Sequence, residues 1–182
     1  MDACVVARGL SMSDYSIDMT KDSCFFKIES ETFDTIPYYM QKTFLYGTDD
    51  GEISNLAFYT DIRTCEILAI ICSNKRNARE VSYVIDYSEY DDLKEKRKAS
   101  FITPRGVGIT YDYIQDFMVY YSKDTVKIII EDGKPYYCYD HGRMKIYYDN
   151  NYELLEIYIK DLTSEEYEAL KRKSGPTIRL TL

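Results

Sequence analysis

Asp124-Thr125-Val126-Lys127-Ile128-Ile129-Ile130-Glu131-Asp132-Gly133-Lys134-Pro135-Tyr136-Tyr137-Cys138-Tyr139 opens the stretch, running on to Lys160, whose reading decides the fold. Thr125 to Glu131 is β-branched and apolar and reads as a strand. Asp132-Gly133-Lys134-Pro135 is a turn, Tyr136 to Tyr139 a second strand, and Asp140-His141-Gly142-Arg143 a second turn. Met144 to Tyr148 begins the third strand, and Asp149-Asn150-Asn151 leads into Tyr152 to Ile159. Gly, Asp and Asn stand where the chain must reverse, so the spacing predicts an antiparallel β-meander over about 124–160.

Beyond the meander, Thr163 to Lys173 predicts a helix. Thr163 with Glu166 fits a capping box, three acids start the helix, three bases end it, and Gly175-Pro176 stop it. Thr177 to Leu182 alternates and reads as a last, edge strand, which offers a route to a homodimer. On the other side, Tyr113, Ile114, Phe117, Met118 and Tyr121 share one helical face, and Thr110 is placed to cap it. A second helix is therefore expected over about 110–121, lying against the sheet.

Further upstream the signals are mostly of strands. Cys24 to Glu29 is a short one, followed by a connection ending at Pro37. Tyr38 to Tyr46 and Ile53 to Tyr59 flank a Gly- and Asp-rich loop and read as a hairpin. Glu66 to Cys72 is the most apolar segment and reads as a central strand. Val81, Tyr83, Ile85 and Tyr87 alternate with polar or smaller residues, as in a strand with one face covered. Residues 88–99 run from acidic to basic with few apolar side chains, and mark the one candidate sub-boundary in what otherwise reads as a single domain, 1–182. The expected class is α+β, strand-dominated, with two or three helices.

At 182 residues the chain is long enough for one sizeable core. No apolar run reaches the ~20 residues that a spanning helix needs. Met1 to Arg8 lacks a basic segment followed by a long apolar one, so a cytoplasmic protein without a signal peptide is expected. The five cysteines (Cys4, Cys24, Cys65, Cys72, Cys138) are odd in number and form no C-x-x-C pair, which argues for free thiols rather than a disulfide framework. The 20 tyrosines against no tryptophan suit half-buried strands and binding surfaces alike.

The net charge of −8 is unevenly spread: residues 1–92 hold 8 Lys/Arg against 17 Asp/Glu, and residues 93–182 hold 15 against 14. An acidic first half repels phosphates, disfavours direct binding to duplex DNA and favours a basic protein partner. The carboxylates singled out for such a partner are Asp49, Asp50 and Glu52 in the hairpin loop, and Asp86, Glu89, Asp91 and Asp92 ahead of the basic run Lys94 to Lys98. Each of these acidic clusters taken alone reads first as a solvated loop; their concentration in one half is what gives them weight.

Catalytic chemistry has little to stand on. His141 is the only histidine. Cys138-x-x-His141 offers two zinc ligands or a thiol with a base, but residues three apart on a strand point to opposite faces. Arg105-Gly106-Val107-Gly108 ahead of Thr110 offers backbone N–H groups to an anion, yet lacks the third glycine of a dinucleotide fingerprint and the lysine of a P-loop. A small cytosolic enzyme working at Cys138 and His141, or at the Gly106–Gly108 turn, is the alternative reading. No metal or cofactor is expected.

In its small size, its acidity and its lack of familiar motifs, the chain resembles phage- and plasmid-encoded anti-CRISPR proteins, including inhibitors of type II RNA-guided nucleases. The resemblance is spread over the whole chain and has no motif of its own. It implies a guide-RNA-loaded nuclease as partner and inhibition without enzymatic activity, in the cytoplasm of a bacterial host. The basic segments Lys75 to Arg79 and Lys94 to Lys98 depart from a pure DNA mimic.

Overall fold

The computed structural model describes residues 15–21, 23–47, 56–64, 66–73, 78–82, 94–96, 110–114 and 117–174. Among these the chain forms thirteen strands and one α-helix. A six-stranded sheet has the order β1-β2-β5-β4-β3-β8 and a seven-stranded sheet the order β6-β9-β10-β13-β12-β11-β7. In the first sheet the strands are β1 Tyr15–Asp18, β2 Phe26–Ser30, β3 Gln41–Gly47, β4 Leu56–Asp61, β5 Ile67–Cys72 and β8 Thr110–Ile114. The second holds β6 Ala78–Glu80, β7 Lys94–Lys96, β9 Met118–Tyr121, β10 Val126–Ile129, β11 Tyr137–His141, β12 Met144–Tyr148 and β13 Leu154–Ile159. The strand-dominated α+β class predicted from the sequence is what forms.

Alternation along the strands makes the core. In β2, Phe26, Ile28 and Ser30 are buried while Lys27 and Glu29 are half-buried on the other face. Phe44, Phe58 and Ile70 of the first sheet join Val119, Tyr121, Val126, Ile128, Ile146 and Ile157 of the second in one apolar cluster. Each such side chain, fully buried, contributes roughly 1.5–3 kcal/mol.

The expected meander is corrected in its order. β10 does not pair with β11; β13 lies between β10 and β12, giving a Greek-key arrangement. The register shows why: Val126 faces Ile159 and Ile128 faces Ile157, matching β-branched residues on the core side. The connection from β10 to β11 is no tight turn. It crosses the sheet end, with the Ile130 and Glu131 N–H groups donating to the Leu155 carbonyl and the Tyr136 N–H to that of Tyr148. The second predicted strand also runs on through Asp140 and His141, leaving a two-residue hairpin loop in which Gly142 takes φ 58°.

The predicted helix over 110–121 is likewise corrected. β8 and β9 occupy it, in different sheets. Phe117, Val119 and Tyr121 are buried and Met118 and Tyr120 half-buried, a period of two. A spacing of four, read as helical, is also two turns of strand alternation, and Thr, Tyr, Val and Ile prefer the strand. The sheets are mixed rather than wholly antiparallel. All three parallel pairs (β3 with β8, β6 with β9, β7 with β11) place residues from 78–114 at sheet edges. The segment 88–99 contains β7, which pairs with β11. The strand predicted at 177–182 lies outside the described residues.

The helix predicted over 163–173 forms as α1, Ser164–Ser174. Its capping box is made: the Glu166 N–H donates to Thr163 Oγ1 at 3.2 Å and the Thr163 N–H to Glu166 Oε2 at 2.8 Å. The helix closes one end of the paired sheets. Leu170 enters the shared core, the Tyr167 hydroxyl donates to Glu80 Oε1 of β6 at 2.5 Å, and the Tyr121 hydroxyl bonds Ser174 Oγ. Lys173 Nζ reaches the first sheet, donating to the carbonyls of Met19 (2.7 Å), Cys24 (3.0 Å) and Phe25 (3.3 Å).

Candidate functional site

Asp49, Asp50, Glu52, Asp86, Glu89, Asp91 and Asp92, the carboxylates singled out for a partner, lie outside the described residues, as do Gly106 and Gly108. Cys138 and His141 are described, and the structure does not bring them together. β11 is continuous from Tyr137 to His141, so Cys138 points to the outer face and His141 to the inner one. Cys138 is a buried free thiol packed with Tyr147 and Tyr158. His141 meets Tyr15 edge-on at 5.1 Å and stacks near Tyr139 at 6.1 Å, an aromatic seam between β11 and β1. Among the described residues no group of three or more His, Cys, Asp or Glu is placed to hold a metal ion, and no helix is long and apolar enough to cross a membrane.

Two other features emerge. The first is on the outer face of the second sheet. Lys127 faces Tyr158 across β10 and β13, Lys145 faces Tyr158 across β12 and β13, and Glu156 faces Tyr147. Lys127, Lys145 and Glu156 are all buried there. Lys127 Nζ and a Glu156 carboxylate oxygen form an ion pair of 2.8 Å. Charges on such a face carry a desolvation cost that pairing must offset. The sequence held a signal for this. Lys127 interrupts an apolar run from Val126 to Ile130, and Glu156 interrupts Leu154 to Ile159, at positions that alternation sends to the face opposite the core.

The second feature is an aromatic end on the same sheet, opposite α1. The rings of Tyr137 and Tyr152 stack with centroids 4.4 Å apart and planes 10° from parallel, and the Tyr152 hydroxyl donates to that of Tyr137 at 3.0 Å. Tyr136 meets Tyr137 edge-on at 4.8 Å. That hydrogen bond, followed by burial, pushes the Tyr137 phenol up to about 12. Tyr152 reaches its partner because its backbone is left-handed, φ 67°, in the turn between β12 and β13. Asp149 builds this turn: its Oδ1 accepts from the N–H groups of Asn151 and Glu153, both at 2.8 Å. The connection 130–136 crosses the same end, where the Glu131 N–H donates to the Leu155 carbonyl and the Tyr136 N–H to that of Tyr148, and β7 pairs alongside with Lys94 opposite Tyr137. From the sequence, Asp149-Asn150-Asn151 announces the turn. That Tyr152 folds back onto Tyr137 has no local signal.

No known family model matches the chain, and comparison with curated proteins finds no relative.

Proposed function

We propose that this chain is a non-enzymatic interaction protein that binds and inhibits a basic, nucleic-acid-handling enzyme in the cytoplasm. A type II RNA-guided nuclease loaded with guide RNA is the partner to which the resemblance points. The observation that carries the reading is the segregation of charge, with 17 acidic against 8 basic residues in positions 1–92. Such a surface attracts a basic groove over long range, and salt screens the attraction. A second support is the separation of Cys138 from His141 onto opposite faces, which removes the best nucleophile–base pair the sequence offered.

The test is retention of a guide-loaded type II nuclease on the immobilised chain at low and high salt, with DNA cleavage assayed in the bound fraction. Salt-sensitive retention with loss of cleavage is expected, weakened by Asp49→Asn, Asp50→Asn, Asp91→Asn and Asp92→Asn together. A nuclease that passes through and cuts normally overturns the assignment for that enzyme.

A further inference from the structure

We infer that residues 177–182 form a strap that pairs antiparallel with β1 of the same chain and closes the open edge of the first sheet against a foreign strand. The inference stands apart from the proposed function, since it rests on the sheet edge and on where α1 delivers the chain.

Among the described residues β1 has β2 on one side and no strand on the other. Across the first sheet an apolar row faces the core. Ile17 lies opposite Ile28, Ile28 opposite Ile70, Ile70 opposite Phe58, and Phe58 opposite Phe44. Every member is fully buried except Ile17, which is half-buried because the row stops there. Tyr15, on the same face, is half-buried as well. An edge of this kind offers N–H and C=O groups to any extended chain.

The end of α1 lies at this edge. Lys173 Nζ donates to the carbonyl of Met19, the residue directly after β1, at 2.7 Å, so the helix finishes beside the Asp18 end of the strand. Gly175 and Pro176 then lead the chain out of the helix. Thr177 comes three residues after Ser174, a reach of about 10 Å. Starting at the Tyr15 end would first require travelling the length of β1, a further ~13 Å. The strap therefore runs from Asp18 toward Tyr15, antiparallel to β1.

The side chains select the register. Thr177-Ile178-Arg179-Leu180-Thr181-Leu182 alternates polar and apolar. With Leu180 opposite Ile17, Ile178 falls opposite Met19 and Leu182 opposite Tyr15 on the core face. Arg179 then falls opposite Asp18, and Thr181 opposite Ser16, on the outer face. Each apolar residue extends the core face, and the one charged residue meets a carboxylate that already attracts Lys21 at 3.3 Å. A slip by one residue would carry Arg179 into the core face, and a slip by two would part it from Asp18. β6, the other edge that α1 touches, fits less well. It is three residues long, and its Glu80, in register with the core residue Tyr121, would face the leucines.

The experiment combines hydrogen exchange with cross-linking of the full chain. In the unaltered protein the amides of residues 179–182 are expected to exchange about tenfold or more slower than an unstructured chain; exchange at the unstructured rate overturns the inference. Under mild oxidation Ser16→Cys with Thr181→Cys is expected to give an intramolecular disulfide, because directly opposed residues stand about 4.5–5.5 Å apart at Cα, within bonding range. Ser16→Cys with Leu180→Cys, whose side chains point to opposite faces, is expected to give several-fold less. Peptide mapping by mass spectrometry separates these links from those of the native cysteines. Equal yields from the two double variants overturn the inference. A link that joins two chains shows the segment exchanged between copies, and likewise overturns the seat within one chain. Should a double variant fail to fold by circular dichroism, exchange in the unaltered chain decides. The nuclease retention assay is scored separately and bears on none of these outcomes.

Discussion

Lys127 and Glu156 are joined by a 2.8 Å ion pair on a sheet face where their side chains keep only 7% and 6% of their exposure. Lys127 sits on β10 and Glu156 on β13, diagonal neighbours across two strands far apart in sequence. The pair ties the strand inserted into the Greek key to the strand it displaces β11 from.

Breaking this pair from one side leaves a buried charge. Glu156→Ala is expected to destabilise the fold by about 3–5 kcal/mol, and Lys127→Ala comparably. The double replacement Lys127→Met with Glu156→Leu is expected to cost less than either single change, because no charge is stranded. Urea unfolding of the three variants checks this. Single variants that unfold at the parent midpoint would show that the ion pair carries no weight.

Lys173 tethers the end of α1 to three carbonyls around the β1–β2 turn. Lys173→Met keeps the apolar stem and removes the donors, at an expected cost of about 1.5–3 kcal/mol. Hydrogen exchange is expected to accelerate in the last turns of α1 before it does in β10 and β13. Uniform exchange rates with an unchanged melting temperature would exclude the tether.

Two carboxyls set part of the acid limb. Burial pushes Asp18 up, but the Thr20 N–H and hydroxyl, with Lys21, outweigh it and hold the carboxyl at about 2. At Asp61, too, burial raises the carboxyl, and the Arg63 side chain and N–H bring it below its usual value. A carboxyl lowered on folding stabilises above its unfolded value of about 3.9 and loses that contribution as pH falls toward 2. Asp18→Asn is therefore expected to flatten the fall in unfolding free energy between about pH 5 and 2. Parallel acid limbs for parent and variant would refute this.

The alkaline side has the opposite sign. Tyr137 and Tyr167 are both pushed up to about 12, Tyr137 first by its bond to Tyr152 and Tyr167 first by its bond to Glu80. A phenol raised on folding stabilises below its unfolded value of about 10 and loses that contribution as pH rises through 12. Tyrosinate absorbance is expected to show a late class of tyrosines, reduced by one in Tyr137→Phe. A single ionisation step near 10 would contradict it.

Gly142 opens the β11–β12 hairpin loop with φ 58°, and no atom lies within 4 Å of where a Cβ would stand. Gly142→Ala thus meets strain without a clash and is expected to cost about 1–2 kcal/mol. Gly142→Asn is expected to cost less, since asparagine visits this region more readily. Thermal unfolding of the pair decides; an alanine variant as stable as the asparagine one would remove the backbone argument.

The sequence by itself determined most of the local structure. β-branched and aromatic alternation marked β2, β3, β4, β5, β10, β12 and β13, and Thr163 with Glu166 marked the start of α1, because these signals depend on neighbours a few residues apart. It misread 110–121 because Phe117 and Tyr121, four apart, satisfy helix and strand periods together; only pairing partners on β3 and β10 distinguish the two. Strand order was a tertiary decision. Nothing near Ile130 or Tyr136 tells β10 to admit β13, whereas the match of Val126 and Ile128 with Ile159 and Ile157 does so in space. The same holds for the aromatic end and for the Lys127–Glu156 pair. Each joins side chains from separate strands or turns, and a contact of that kind is set by register and by burial against the core, which no local window of sequence contains.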